Sequence, residues 1–197
     1  MKKGLIAVIV VGVLLMVGYF MFKGMFNQMN GLREQTKSQW ANVETAYQRR
    51  ADLIPNLVKT VKGYADFEQE TLTQVIEARA NATSINLNAG DINPENMAKF
   101  QAAQDKLSGA LSRLLVTVER YPDLKANQNF LQLQSQLEGT ENRISVERRR
   151  YNEVVRTYNT YIQNFPQFIL ANLRGFEAQA YFKSAEGSET VPDVSFD

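Results

Sequence analysis

FLQLQSQLEGTENRISVERRRYNEVVRTYNTYIQNF, residues 130–165, is the stretch whose spacing decides how this chain folds. Phe130, Leu137, Ile144, Tyr151, Tyr158 and Phe165 recur at intervals of seven, and Leu133, Thr140, Glu147, Val154 and Tyr161 fill the positions three further on. Seven residues are close to two turns of α-helix, so both sets fall on one side and form a stripe about 54 Å long. A stripe of that length requires other helices to cover it. Trp40, Val43, Tyr47, Arg50, Ile54, Leu57, Val61 and Tyr64 make a second, and Met97, Phe100, Gln104, Leu107, Leu111, Leu114, Val118 and Tyr121 a third. The predicted fold is all-α, an antiparallel bundle of about four long helices, with a shorter helix from Asp66 to about Asn81 among them.

Boundary residues support this division. Asp66 followed by Gln69 resembles a capping box, Gly63 suits the end of the preceding helix, and Asn93-Pro94 reads as an N-cap with proline at the first helical position. Tyr121-Pro122 and Pro166 are predicted to stop the third and fourth helices. Pro55 falls inside a stripe, so a kink or a restart is expected there. Gly24 and Gly31 are positions where the first helix is free to bend on leaving the segment before it.

That preceding segment, Gly4 to Phe22, has nineteen positions without a charge, in a chain whose mean hydropathy is −0.32. Nineteen helical residues span roughly 28 Å, close to the ~30 Å hydrocarbon layer of a bilayer. Tyr19, Phe20 and Phe22 place rings where the membrane interface belongs. A cleaved secretory signal fits less well, because the stretch is long and leaves through Phe22-Lys23 rather than small residues. The expected organisation is a short flank at 1–3, a transmembrane helix at 4–22, a bundle at 23–183 and an acidic tail at 184–197. Lys2 and Lys3 against Lys23, Arg33 and Lys37 give a nearly balanced flank charge. Two lysines pressed on the apolar edge favour a cytoplasmic N-terminus and an exported body at the cell (inner) membrane, with the opposite orientation left open.

Setting aside Lys2, Lys3 and Lys23 leaves 19 basic against 21 acidic residues, a balance that implies no nucleic-acid partner. The chain has no histidine and no cysteine, which excludes Ser-His-Asp and Cys-His catalysis and ordinary zinc, haem or iron–sulfur ligation. No phosphate-binding or EF-hand motif is present, so no cofactor, metal or small-molecule substrate is expected. Arg148-Arg149-Arg150, flanked by Glu147 and Glu153, reads as a solvated, salt-bridged helix face. Tyr151, Tyr158 and Tyr161 read as core packing with hydroxyls at the rim. Val194 and Phe196 in the acidic tail are placed to dock on a partner or to fold back on the bundle.

Arg50-Ala-Asp52-Leu-Ile-Pro55-Asn56-Leu-Val58 with Gly63-Tyr64 and Glu68, Tyr121-Pro122-Asp123-Leu124-Lys125-Ala126-Asn127, Leu137 to Ile144 including Asn142, Arg148 to Asn152, Tyr158-Asn159 and the ending with Gly175-Phe176, Tyr181-Phe182 and Val191-Pro192 together resemble the LemA family of bacterial membrane-anchored helical proteins. The resemblance covers nearly the whole chain beyond the apolar segment. It implies one N-terminal anchor and a helical bundle, with no assigned reaction. Some members are encoded beside envelope membrane proteins, including membrane proteases.

Arg50 and Glu147 occupy core-facing positions by heptad count and Glu141 lies beside one, so a buried arginine–carboxylate pair joining the first and last helices is expected. Register control is its ordinary role. The favoured function is a membrane-tethered scaffold or adaptor acting on another envelope protein or on itself. The alternative is a carboxylate-based hydrolase or transferase using Asp52, Glu68 or Glu141.

Overall fold

The computed structural model describes residues 2–64, 68–90 and 92–183. It contains α1 (Lys2–Lys62), α2 (Gln69–Ser84), α3 (Pro94–Val118), the single turn α4 (Pro122–Lys125), α5 (Gln128–Gln163) and α6 (Gln167–Arg174), with no strand among the described residues. An extended strap, residues 176–183, follows α6. The fold is all-α and its long helices form a bundle.

The order of contacts along the helices gives their directions. Met29 meets Tyr158 and Ile162, Gln39 meets Glu147 and Arg50 meets Glu141, so α5 runs antiparallel to α1. The backbone then descends through α2, whose Arg79 reaches Ala51, and rises through α3, where Phe100 meets Trp40 and Gln104 meets Arg50. Three core regions stack along α1. Met29 and Leu32 lie nearest the apolar segment, an aromatic layer of Trp40, Tyr47, Phe100, Tyr151 and Phe182 follows, and Leu57, Val61, Leu114 and Phe130 close the far end.

Helix α1 has 61 residues, roughly 90 Å. Its first part is exposed apolar surface, and it is the one described helix long and apolar enough to cross a membrane. It passes Gly24 and Gly31 without interruption and continues through Pro55, so of the kink or restart expected at proline the restart does not occur. The physical reason lies in α2. Proline cannot donate to the carbonyl four residues earlier, that of Ala51. The Arg79 Nε donates to that carbonyl at 2.7 Å, so the acceptor freed by Pro55 is satisfied from a neighbouring helix.

Other boundaries divide in the same way. Asn93 caps α3, its side-chain oxygen accepting from Asn96 N–H at 2.8 Å, with Pro94 at the first helical position. Helix α3 ends at Val118, before Tyr121, and Pro122 begins α4 instead of merely ending a helix. Pro166 likewise leads into α6, which sequence spacing did not indicate. Asp66 and the tail Ser184–Asp197 lie outside the described residues. Glu68, at the N-cap of α2, makes no side-chain cap bond.

The sevenfold series of α5 holds through Tyr158, but its companion series departs from a strict heptad after Glu147. Val155 and Ile162 are buried where Val154 and Tyr161 were expected, and Phe165 is 79% exposed. A straight helix drifts about 20° per heptad, which moves the buried face from the third to the fourth position after each Tyr. Phe165 lies beyond the last residue of α5.

Candidate functional site

The polar heart of the bundle is Arg50, only 2% exposed. Its Nη1 donates to Ser108 Oγ at 2.7 Å and to Glu141 Oε2 at 2.8 Å. Nη2 donates to Gln104 Oε1 at 2.6 Å and to the Gln104 carbonyl at 3.3 Å, while Nε has no partner. Gln104 in turn donates to the Ala82 carbonyl. One guanidinium thereby ties α1 to α3 and α5, and through Gln104 to α2. The Tyr47 ring lies 5.2 Å from its charge centre. Burial pushes the Tyr47 phenol up to about 12, against smaller opposing effects of Arg148 and Arg50.

Arg50 and Glu141 are thus joined across α1 and α5, and the carboxylate is the wet partner, its side chain 54% exposed. Glu147 belongs to a separate node. It accepts from Gln39 Nε2 at 2.8 Å and faces Arg150 at 3.4 Å and Arg143 at 3.8 Å. Asp52 accepts from Gln48 on the surface of α1, and Glu68 pairs with Arg120 at 2.7 Å. Asn56 and Asn142 are exposed on α1 and α5.

Asn152 and Asn159 define a second assembly. Asn159 accepts from Gln179 N–H and donates to the Gln179 carbonyl, both at 2.9 Å. Asn152 treats Phe182 in the same way, at 2.9 and 3.0 Å. Gln101 on α3 repeats the pattern on Lys183, at 3.2 and 3.3 Å. Each amide returns both hydrogen bonds of one strap residue, as a neighbouring strand would. The spacing is commensurate: seven helical residues advance about 10.5 Å, and three extended residues about 10 Å. Tyr158 also donates to the Glu177 carbonyl at 3.0 Å. Arg148 donates to the Lys183 carbonyl and lies 4.9 Å from the Phe182 ring, so it departs from the solvated reading of the arginine run. The signal was present in the repeated Tyr-Asn pairs 151-152 and 158-159, but the strap that uses them has no periodicity of its own.

The strap runs from Tyr158 towards Arg148 along α5 and reaches Gln101 on α3. In that same direction lies an open groove of about 290 Å³ between α3 and α5. Leu111, Leu115 and Leu137 line its walls, with Arg50, Glu138 and Glu141 as its charged groups. Among the described residues no group of three or more Asp and Glu side chains is arranged to hold a metal ion.

Comparison with known proteins agrees with this architecture. The model of the LemA family matches residues 39–196. Protein LemA of Metamycoplasma hominis is 27% identical over 179 residues, covering 90% of this chain and 77% of the relative. Magnetosome proteins MamQ 1 and MamQ 2 of Paramagnetospirillum magneticum are each 28% identical over 206 residues, covering 93% of this chain and 74% of the relative. A helical body behind one membrane-length apolar segment, with a family match running from Gln39 to Phe196, leads to one assignment: this chain belongs to the LemA family.

Proposed function

We propose that this protein is a single-pass, membrane-tethered scaffold whose body, residues 23–183, lies outside the cytoplasm and holds an extended segment of another envelope protein in the groove between α3 and α5. The observation that carries this reading is that the groove is built on α3 and α5, the same two helices that hold the strap through Gln101, Arg148, Asn152 and Asn159. A backbone in extended form is bound there by side-chain amides, and beyond Lys183 the same two helices offer apolar walls with a buried guanidinium at the base. Apolar walls with a few charged and hydroxyl groups suit an extended segment that carries apolar side chains. The uninterrupted α1 makes the body a rigid extension of its membrane segment.

A photo-crosslinking residue at Ser112, in the groove, tests the proposal in native membranes, with Ile76 on the exposed side of α2 as reference. The expected result is one identified envelope protein, near stoichiometric, captured from position 112 and not from 76. Capture of the chain's own residues 184–197 instead assigns the groove to self-occupancy, and equal capture from both positions refutes the groove.

One observation favours the enzyme alternative: Glu138 and Glu141 both line the groove beside Arg50. Under that reading Glu138→Gln abolishes an envelope hydrolase or transferase activity of the purified full chain. Under the scaffold reading it leaves cross-linking from Ser112 intact.

A further inference from the structure

Helix α6 is apolar on two opposite sides. Leu170 and Ala171 are buried among Met29, Leu32, Tyr158 and Ile162. On the other side Phe168, Ile169 and Leu173 are 41%, 54% and 74% exposed, and Phe165, just before the helix, is 79% exposed. Ile169 and Leu173 are four apart on α6 and the Phe165 and Phe168 rings lie 6.3 Å apart, so these side chains form one patch. Water is a poor neighbour for such a patch.

The position of α6 says what covers it. The Arg174 guanidinium lies 6.0 Å from the Phe22 ring and 5.3 Å from that of Phe26, and the Phe26 and Phe176 rings meet edge to face at 5.9 Å. Phe22 is the last residue of the charge-free segment. Helix α6 is therefore held at the height where α1 leaves its apolar part, and Tyr19, Phe20 and Met21, within the turn before Phe22, are exposed apolar side chains as well. Phenylalanine rings with an arginine beside them suit the boundary between headgroups and acyl chains.

We infer that α6 is an interfacial membrane helix, with Phe165, Phe168, Ile169 and Leu173 embedded in the lipid leaflet from which α1 emerges. This rests on the reading of residues 4–22 as membrane-spanning. The bundle then has two attachments, a spanning helix and a helix lying in the surface, which fix its orientation on the bilayer. Because α6 leads directly through Gly175 and Phe176 into the strap, the membrane contact and the strap share one short connection. Gly175 takes the left-handed conformation, φ 68°, that this tight helix exit demands.

The absence of cysteine makes the test direct, since one introduced thiol takes a nitroxide label selectively. Ile169→Cys and Leu173→Cys report on α6, Leu14→Cys on the spanning segment, and Val116→Cys on an exposed apolar site of α3. The full chain is reconstituted in phosphatidylcholine vesicles, and relaxation by oxygen is compared with relaxation by a water-soluble nickel complex. Labels at 169 and 173 are expected to follow 14, with oxygen dominant, while 116 shows nickel dominant. If 169 and 173 follow 116, or are shielded from both relaxers, the interfacial assignment is overturned. Dipolar broadening that disappears on dilution with unlabelled protein identifies a second copy as the cover and also overturns it. Nickel access at 14 overturns both the spanning reading and this one, whereas oxygen at 14 with nickel at 173 overturns this one alone.

Discussion

At Arg50 a single buried charge gathers acceptors from two helices, while at Asn152 and Asn159 neutral amides each return both hydrogen bonds of one strap residue. The first assembly leaves Nε without a partner and places its carboxylate half in water, whereas the second uses each amide's donor and acceptor together. A buried cation is satisfied by many weak compromises, and removing it strands several acceptors at once. A side-chain amide matches the peptide group in donor and acceptor number, so it completes a strand-like pairing without any charge to desolvate. A charge thus links three long helices at one level, and neutral amides fasten the segment laid over them.

The largest expected effect breaks the first assembly. Arg50→Met keeps the volume and removes the donors, leaving Gln104 Oε1 and its carbonyl without them; a loss of about 3 kcal/mol is expected in urea unfolding of the detergent-solubilised chain. Raising pH attacks the same region from the aromatic side. The folded state holds Tyr47 as the neutral phenol up to about 12, whereas in the unfolded chain it ionises near 10. Its contribution is complete below pH 10 and is lost as pH rises towards 12, amounting to about 2 to 3 kcal/mol. Tyr151 and Tyr158 are shifted upward by burial in the same sense, so Tyr47→Phe reduces the alkaline slope without abolishing it.

Asn159→Ala sharpens the comparison by removing one rung. Gln179 loses partners for both its N–H and its carbonyl, and a loss of about 2 kcal/mol is expected together with faster proteolysis within residues 176–183. Arg79→Met leaves the Ala51 carbonyl opposite Pro55 unpaired, at a cost of about 1 to 2 kcal/mol, with faster amide exchange around Ala51 as the local readout. Glu141→Gln is the smallest, about 0.5 kcal/mol, because its carboxylate is half solvated; an effect as large as that of Arg50→Met would make the ion pair, and not the guanidinium's other bonds, the basis of the register.

Much of the fold was legible because helical periodicity is written locally. The stripes of α1, α3 and α5, the Asn93-Pro94 start and the membrane-length segment all follow from residues within a few turns of one another. Arg50 and Glu141 were legible as a candidate pair, since heptad counting places both near the facing surfaces. Glu147, equally core-facing by count, goes to Gln39 instead, because which carboxylate meets Arg50 depends on the relative height of two helices, and the residues that meet, Arg50 and Glu141, are ninety-one apart in sequence. Helix α6 escaped notice because eight residues after a proline carry too short a pattern. The strap escaped because its order comes from α3 and α5.

The sequence by itself determined the helices, their buried faces and the single apolar segment, for the physical reason that spacing and solvation act along the chain. Only the tertiary structure decided that Arg79 repairs the gap at Pro55, that amides seven apart fasten an extended strap, and that α6 turns an apolar face outward at the height of Phe22. Those features depend on groups distant in sequence meeting within hydrogen-bond or van der Waals range, and no local pattern encodes that distance.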